Sequence, residues 1–305
     1  MAITWRQIWL FIRLSRPFFL LGGIILYGLG AAIVDYLGRP LDLSTYIIGQ
    51  LIVTFIQLMT HYLNEYSDAK SDRENPNRTF FTGGSGVLGE DGLPRRTALY
   101  AAAFCLAITA TCVILLIANT RVSILSWIVL ILAFLGSFFY SLPPLNLARS
   151  GYGEFTTSII VAGLVPTFAY TLQTGEVHRL LIMSTTPLVA LHLAMMIVIE
   201  LPDYATDLKY NKQNLVIRIG WSSAMRLHNV SILFAIGSFI VAYFLGMPPR
   251  VFFGTLIALP LAVAQVWQMY RIRQGYPPNW RVLTANAVVL FGLTAYLEVV
   301  GYILS

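Results

Sequence analysis

The sequence has few charged residues. Asp, Glu, Lys and Arg make up 11% of its 305 residues, whereas a soluble domain carries about 25%. Hydrophobic residues make up 57%, and the mean hydropathy is +0.71. Apolar segments recur along the chain, and each approaches the roughly 20 residues that cross a bilayer. This composition excludes an ordinary soluble enzyme and predicts an integral membrane protein.

Cysteine is also scarce, and several catalytic signatures are absent. Cys105 and Cys112 are seven residues apart on one apolar segment, and about 10 Å of helical rise is too far for a disulfide. The sequence has no Cys/His zinc spacing, no P-loop, no nucleophile elbow and no dinucleotide-binding glycine signature. The net charge of +6 has a membrane explanation, given below, so no nucleic-acid partner is predicted.

Nine apolar spans predict an all-α, polytopic membrane protein that forms a single domain over residues 1–305. Helices are the expected form because backbone polar groups in lipid must be hydrogen-bonded internally. The first 16 residues mix tryptophan and arginine with apolar residues, which predicts an amphipathic helix on the membrane surface. The predicted spans cover approximately 18–36, 45–64, 97–118, 122–142, 154–173, 179–200, 228–246, 251–270 and 282–304.

The distribution of Lys and Arg predicts the orientation in the membrane. With the N-terminus inside, sixteen of the twenty basic residues fall in inside segments, and only Arg39, Arg121, Arg179 and Arg250 lie outside. This bias predicts a protein of the cytoplasmic membrane with its N-terminus in the cytoplasm and its C-terminus outside. Two long loops, residues 73–96 and 201–227, then lie on the cytoplasmic side, where we expect them to cover a site.

Two acidic motifs adjoin these loops. Asn64, Asp68 and Asp72 end the second span with the spacing i, i+4, i+8, which places them on one face of a helix. Asp203 and Asp207 repeat the i, i+4 spacing after the sixth span, so both motifs leave the membrane on the same side. Oxygen ligands of this kind suit Mg²⁺, which often bridges carboxylates to phosphate groups. The sequence therefore predicts a Mg²⁺ site for a diphosphate at the cytoplasmic interface.

Other residues beside the motifs either take part in the site or have a purely structural role. The lysines Lys209 and Lys212 can meet diphosphate oxygens, although basic residues at this level also orient a protein in the membrane. Tyr140 ends the fourth span on the same side and is either a site residue or an interfacial tyrosine. Helical geometry points Glu65 away from the acidic face, which disfavours a metal contact. The glycine-rich run 82–86 is either an anion-binding loop or a flexible connection.

These residues resemble the motifs of the UbiA superfamily of membrane prenyltransferases. The first family motif is Asn-Asp-x-x-Asp-x-x-x-Asp, which residues 64–72 match with Glu65 in the second position. The second is Asp-x-x-x-Asp with a later lysine, matched by residues 203–212. The resemblance includes Arg16-Pro17, the segment 140–145 and the Arg-Ile-Gly ending at Gly220. Residues 77–88 and 151–154 are similar to the branch that prenylates 1,4-dihydroxy-2-naphthoate for menaquinone. Asn-Lys-Gln-Asn at 211–214 departs from the usual Gly-Lys-x-Thr.

The resemblance implies nine helices around a central cavity open to lipid, with polyprenyl diphosphate and an aromatic acceptor as substrates. It implies Mg²⁺ as the cofactor. The implied metal ligands are Asn64, Asp68, Asp72, Asp203 and Asp207. The implied catalytic residues are Asp68, Asp72, Asp203, Asp207 and Tyr140. The implied substrate-binding residues are Asn64, Arg16, Arg73, Arg78, Lys209 and Lys212.

Two kinds of alternative remain. Within the enzyme class, the acceptor can also be 4-hydroxybenzoate, a chlorophyll-type ring or a lipid glycerol. From another class, an ion-coupled transporter also combines broken helices with intramembrane acids. Transporter sites lie near the midplane of the bilayer, whereas these acids lie at one interface next to basic loops, which favours the enzyme. The prenyl chain length and the oligomeric state are left open.

Overall fold

The structure is a computed structural model that describes residues 4–90 and 92–305. It is helical, with no strand in the described part of the chain, which confirms the all-α prediction. The helices are α1 (Trp5–Leu14), α2 (Pro17–Tyr36), α3 (Leu43–Arg73), α4 (Arg95–Asn119), α5 (Ile124–Phe138), α6 (Gly153–Thr174), α7 (Arg179–Glu200), α8 (Tyr204–Lys209), α9 (Leu215–Ile219), α10 (Trp221–Phe244), α11 (Pro249–Arg273) and α12 (Trp280–Ile303). Helix α6 contains a π-helical stretch at Ile159–Leu164, and α11 contains a short 3₁₀ segment.

The prediction of nine full-length spans is wrong by one. In the described residues, eight helices are long and apolar enough to cross a membrane, namely α2, α3, α4, α6, α7, α10, α11 and α12. The segment predicted as a span at 122–142 forms α5, which has only 15 residues. At a rise of 1.5 Å per residue it is about 22 Å long, short of the roughly 30 Å hydrocarbon core.

The early end of α5 follows from the residues after it. Pro143-Pro144 cannot continue a helix and restricts the residue before each proline to extended backbone. The chain instead folds back, and the amide of Ala148 donates to the carbonyl of Tyr140 at 2.8 Å. A 3₁₀ turn at Leu147–Arg149 then leads into α6. This turn brings a polar segment to the end of the bundle where the acidic motifs lie.

Small residues allow the central helices to approach closely. Helix α2 packs against α6 and α12, α3 packs against α4, and α7 packs against α10. At Gly30 of α2, a Cβ atom would overlap the backbone oxygen of Pro166 in α6. At Gly301 of α12, it would overlap the backbone of Val251 in α11. Close backbone contact of this kind is typical of helix pairs in membranes.

The outer surface of the bundle is apolar. Large hydrophobic side chains such as Ile117, Leu233, Phe244 and Val263 are exposed, whereas Tyr27 in the interior is fully buried. A soluble monomer rarely exposes so much apolar surface, so this exterior fits a bilayer. The integral membrane character predicted from composition is confirmed.

Helix α1 lies where the sequence predicts an interfacial helix. Thr4 and Gln7 form a reciprocal capping box at its start. Trp5 and Trp9 are largely exposed, while Leu14 is fully buried against the bundle. Insertion of the exposed side into the membrane surface stays a prediction.

Candidate active site

The two acidic motifs meet at one end of the bundle. Helix α3 runs for 31 residues and carries the first motif on its last turns. Helix α7 ends at Glu200, and after a turn through Pro202 the short helix α8 carries the second motif, with Asp203 at its N-cap position. The break predicted between Glu200 and Asp203 is therefore present, because α7 ends at Glu200 and α8 begins at Tyr204.

The ammonium group of Lys212 joins the motifs. Its Nζ atom lies 3.4 Å from Asp68 Oδ2 and 3.4 Å from Asp207 Oδ2. The lysine is buried, with 8% of its surface exposed. Burial by itself lowers the pKa of Lys212, but the carboxylates of Asp68, Glu200 and Asp207 outweigh this effect, and the pKa is raised well above its ordinary value. Lys212 therefore carries a permanent positive charge between the two motifs.

Asp68 has two further partners. The side-chain amide of Asn64 donates to its Oδ2 at 3.1 Å, so two residues predicted to share a helix face are in contact. The guanidinium of Arg149 donates to Oδ1 at 3.0 Å. Sequence reasoning did not select Arg149 as a site residue. The available signal was that it is the only basic residue in the polar segment that follows Tyr140 on the side of the motifs.

The second motif has its own polar contacts. Asp203 accepts hydrogen bonds from the side-chain amide of Asn75 and, at 3.2 Å, from the backbone of Gly83. Burial raises the pKa of Asp203 to about 6, with Lys212 opposing the shift and Asp207 adding to it. Asp207 accepts from the side-chain amide of Asn214 at 2.8 Å. Burial also raises the pKa of Asp207, and Lys212 again opposes the shift.

The glycine-rich loop lies against the first motif. Gly83, Gly84 and Gly86 have φ of 72°, 67° and 68°, the left-handed region that favours glycine. A Cβ atom on Gly84 would overlap the carboxylate of Asp72. Arg78 donates to the backbone carbonyl of Asp72 at 2.5 Å. The run 82–86 is thus packed onto the site, with a backbone that only glycine adopts at low cost.

Three other predicted residues have different surroundings. Lys209 pairs at 2.5 Å with Glu74 on the surface and is largely exposed. Arg73 is exposed, and its guanidinium lies beside Gly89 in the long loop. The guanidinium of Arg16 donates to the backbone carbonyl of Phe81 at 3.1 Å. The structure thus places Lys209 and Arg73 on the surface, whereas Arg16 contacts the chain just before the glycine-rich run.

The charges of Glu200 and Lys212 act on the hydroxyl of Tyr140. Burial raises the pKa of its hydroxyl above the ordinary value, and the neighbouring carboxylate of Glu200 adds to the shift. Glu200 accepts from the side-chain amide of Asn214 at 2.9 Å, and the buried Glu154 accepts from the backbone of Leu215 at 2.8 Å. These two acids fix the segment that follows the second motif. Because its pKa is raised, the hydroxyl of Tyr140 is neutral at physiological pH.

The donor set fits a hard divalent cation by its chemistry. Asp68, Asp72, Asp203 and Asp207 supply carboxylate oxygens, and Asn64 supplies an amide oxygen, which are the ligands that Mg²⁺ takes. Within residues 4–90 and 92–305, however, no three His, Cys, Asp or Glu side chains are already grouped around one point. Lys212 lies between the motifs and supplies the positive charge that these buried acids require.

Comparison with known proteins identifies the family. A profile described as the UbiA prenyltransferase family matches residues 24–291, which is most of the chain. The chain belongs to the UbiA prenyltransferase family. This confirms the resemblance read from the motifs, and the protein is a prenyltransferase, which sets aside the transporter alternative.

Relatives of this UbiA-family prenyltransferase are distant in sequence. A 1,4-dihydroxy-2-naphthoate octaprenyltransferase from Bacillus subtilis (strain 168) is 23% identical over 234 residues, which cover 76% of this chain and 70% of the relative. A UbiA homolog from Archaeoglobus fulgidus bound to GPP and Mg²⁺ has a TM-score of 0.66 at 16% identity, over 97% of this chain and 100% of that one. A digeranylgeranylglyceryl phosphate synthase has a TM-score of 0.65 at 14% identity, over 98% and 99% of the two chains. These two structures establish the shared fold.

Proposed function

We propose that this UbiA-family prenyltransferase transfers a polyprenyl group from polyprenyl diphosphate to 1,4-dihydroxy-2-naphthoate, with Mg²⁺ as its cofactor. The observation that carries the proposal is the convergence of Asp68 and Asp207 on the buried ammonium of Lys212. Two supports come from relatives: the Bacillus protein is named for this acceptor, and the Archaeoglobus homolog is bound to GPP and Mg²⁺. Residues 77–88 and 151–154 add the resemblance to the same branch.

The acidic residues of both motifs have the metal-binding role in this proposal. When bound, Mg²⁺ neutralises charge on the diphosphate and stabilises its departure, an effect worth several kcal/mol. The residues that would hold it are Asn64, Asp68, Asp72, Asp203 and Asp207. Lys212 holds a fixed positive charge beside them and would contact a diphosphate oxygen. Arg78 and Gly84 lie on the side of Asp72, where the Arg78 guanidinium and the Gly84 amide would provide further donors.

The remaining steps require an apolar chamber and an electron-rich ring. Breaking the bond between the allylic carbon and the diphosphate oxygen gives diphosphate and an allylic cation, which must be shielded from water. The ring carbon that bears the carboxylate attacks the cation to form a carbon–carbon bond. Loss of CO₂ from that carbon returns its electron pair to the ring and restores aromaticity. In this proposal Tyr140, whose hydroxyl is neutral, orients the leaving group.

The orientation of the protein is part of the proposal. With the short helix α5 counted as a ninth crossing, the excess of basic residues on one side favours the cytoplasmic membrane, with the N-terminus and both site loops in the cytoplasm and the C-terminus outside. A polyprenyl tail is soluble in the membrane and its diphosphate is not. An ionic site at the cytoplasmic end of an apolar bundle therefore suits the substrate, because each part of the molecule meets a medium that dissolves it.

An acceptor panel tests the proposal. Purified protein is incubated with Mg²⁺ and with prenyl diphosphates of several lengths. The acceptors are 1,4-dihydroxy-2-naphthoate, 4-hydroxybenzoate and a glycerol phosphate lipid, and the products are read by mass spectrometry. We expect prenylated product with the naphthoate and a mass that shows loss of CO₂. Product only with the glycerol lipid would instead assign the acceptor class of the digeranylgeranylglyceryl phosphate synthase, whose fold this chain shares.

A further inference from the structure

Glu65 contacts the glycine-rich loop through both oxygens of its carboxyl group. The backbone N–H of Ser85 donates to Glu65 Oε1 at 2.6 Å, and the Ser85 hydroxyl donates to Oε2 at 2.7 Å. Glu65 is buried, with 3% of its surface exposed. Hydrogen bonds to an ionised group are about twice as strong as neutral ones, and burial strengthens them further. A single side chain of α3 thus fixes one residue of the loop in two directions.

The same loop has further contacts, and the backbone carbonyl of Ser85 also accepts from the guanidinium of Arg13 at 3.3 Å. We call residues 81–86 the glycine loop. Arg16 lies 3.8 Å from Glu65 Oε1 and also donates to the carbonyl of Phe81 at 3.1 Å, so it joins the carboxylate to the start of the loop. At the middle of the loop, Asp203 of the second motif accepts from the amide of Gly83 at 3.2 Å. The start of α2, the end of α3 and the second motif therefore all anchor this short segment.

These anchors hold the glycine loop against the first motif. Between Gly83 and Ser85 lies Gly84, which packs so closely on the carboxylate of Asp72 that a Cβ atom would overlap it. Turns can present backbone amides as an anion-binding concavity, and the amide of Gly84 lies between the two amides that Asp203 and Glu65 hold. Displacement of Ser85 would move Gly84 away from Asp72, because the two loop residues are adjacent in the chain.

We propose that Glu65 is a positioning residue for prenyl-diphosphate binding, which acts by holding Ser85 and keeping the glycine loop over Asp72. It contacts neither the metal nor the diphosphate. This inference deepens the proposed function and rests on it. The competing role for Glu65 is that of a direct metal ligand, as the acidic residue at the second position of the first motif. The two roles differ in which substitutions the protein tolerates.

Three variants of the full-length protein in detergent separate these roles. Glu65→Met removes both acceptors at similar volume, whereas Glu65→Gln keeps one oxygen for the amide of Ser85 and a polar partner for its hydroxyl. Ser85→Ala removes only the hydroxyl contact. We expect Glu65→Met to raise the KM for geranyl diphosphate about tenfold or more, and Glu65→Gln and Ser85→Ala to stay within about threefold of the wild type, as the number of lost hydrogen bonds predicts. The acceptor KM and the Mg²⁺ concentration for half-maximal rate should not change.

Hydrogen exchange gives a readout that does not depend on turnover. Peptides covering residues 79–90 should exchange faster in Glu65→Met than in the wild type, while peptides of the central helices should not change. Geranyl diphosphate with Mg²⁺ should protect the wild-type segment and should not protect it in Glu65→Met. The matched control is Glu298→Gln, which alters another fully buried acid, far along the chain in α12, and should leave this segment unchanged.

Two results would overturn the inference. One is unchanged exchange of residues 79–90 in Glu65→Met. The other is a loss of activity in Glu65→Gln that excess Mg²⁺ reverses, which would assign a metal ligand. If Glu65→Met does not fold, a rise in loop exchange in Ser85→Ala supports the proposal, and no rise refutes it. A wild-type protein that makes no prenylated product contradicts the proposed function, while loop exchange still decides whether Glu65 holds the loop.

Discussion

Replacement of Lys212 by alanine tests the central arrangement of the site. The lysine ammonium is 3.4 Å from one carboxylate oxygen of each motif. At that distance one such pair is worth about 5 kcal/mol in an effective dielectric constant of about 20, and the cost of burying the charges cancels much of it. Removing one member of a buried ion pair typically costs about 3–5 kcal/mol, because the remaining charges are left without compensation. Lys212→Ala leaves two acids in this position.

We expect two separate losses in Lys212→Ala. Stability without Mg²⁺ should fall by about 3–5 kcal/mol, which corresponds to a decrease in Tm of about 6–10 °C for a chain of this size. The value of kcat/KM for prenyl diphosphate should fall about 100- to 1,000-fold, as for the loss of one fixed donor to a developing anion. The affinity for the acceptor should change little, because the lysine contacts only the acidic motifs.

Titration with Mg²⁺ separates the two effects. Without Lys212 the carboxylates of the two motifs repel each other. A divalent cation can reduce this repulsion, so excess Mg²⁺ should restore part of the loss in Tm. It should not restore turnover, because it does not replace the fixed ammonium at the diphosphate. The control is Lys70→Ala, an exposed lysine on the same helix as the first motif, which should affect neither quantity. Restoration of turnover by excess Mg²⁺, or a loss of acceptor affinity alone, would refute the role given to Lys212.

Three further predictions follow from the contacts and the topology. Asp207→Ala should abolish nearly all turnover in steady-state assays while the protein remains folded by circular dichroism; near-normal activity at saturating Mg²⁺ would contradict its assignment. Arg149→Ala should lower kcat/KM about tenfold by releasing Asp68, and Arg149→Lys should recover only part, since one bidentate-capable donor is lost; equal rates for alanine and wild type would remove Arg149 from the site. Cysteine labels at Glu90 and Gln213 should react from the cytoplasmic side and a label at Glu176 from the opposite side; labels at the first two positions that react from different sides would contradict the predicted orientation.

The sequence was sufficient to predict that the two motifs share one end of the bundle. Hydropathy identifies four apolar segments between the two motifs, and an even number of crossings returns the chain to the same side of the membrane. Charged residues are costly in lipid, so the motifs must lie outside the apolar segments. The partnership of Lys212 with both motifs was not predictable, because it depends on the turn after α8 that brings residue 212 back over Asp207. Its amide donates to the carbonyl of Asp207 at 3.0 Å, which closes that turn.

Two errors of sequence reasoning have physical causes. The fourth apolar segment was read as a full span because its hydropathy continues past Phe138, although the two prolines end the helix. Arg149 was passed over because it lies 81 residues from its partner Asp68 along the chain. Glu65 was read as pointing off the acidic face, but helical periodicity names only the face that a residue is on. Its contact with Ser85 depends on the path of the long loop, which local patterns do not specify.

The shortness of α5 has a consequence for the surrounding lipid. Helix α5 is about 22 Å long and does not match a hydrocarbon core of roughly 30 Å. The bilayer beside it must therefore become thinner, or the polar turn after it must lie below the headgroups. We expect either outcome to thin the leaflet locally next to Tyr140 and the acidic cluster. A diphosphate drawn to that thinner region reaches the site without crossing the full depth of the interface. The catalytic rate in reconstituted vesicles should therefore depend on acyl-chain length, and thicker bilayers should slow the enzyme.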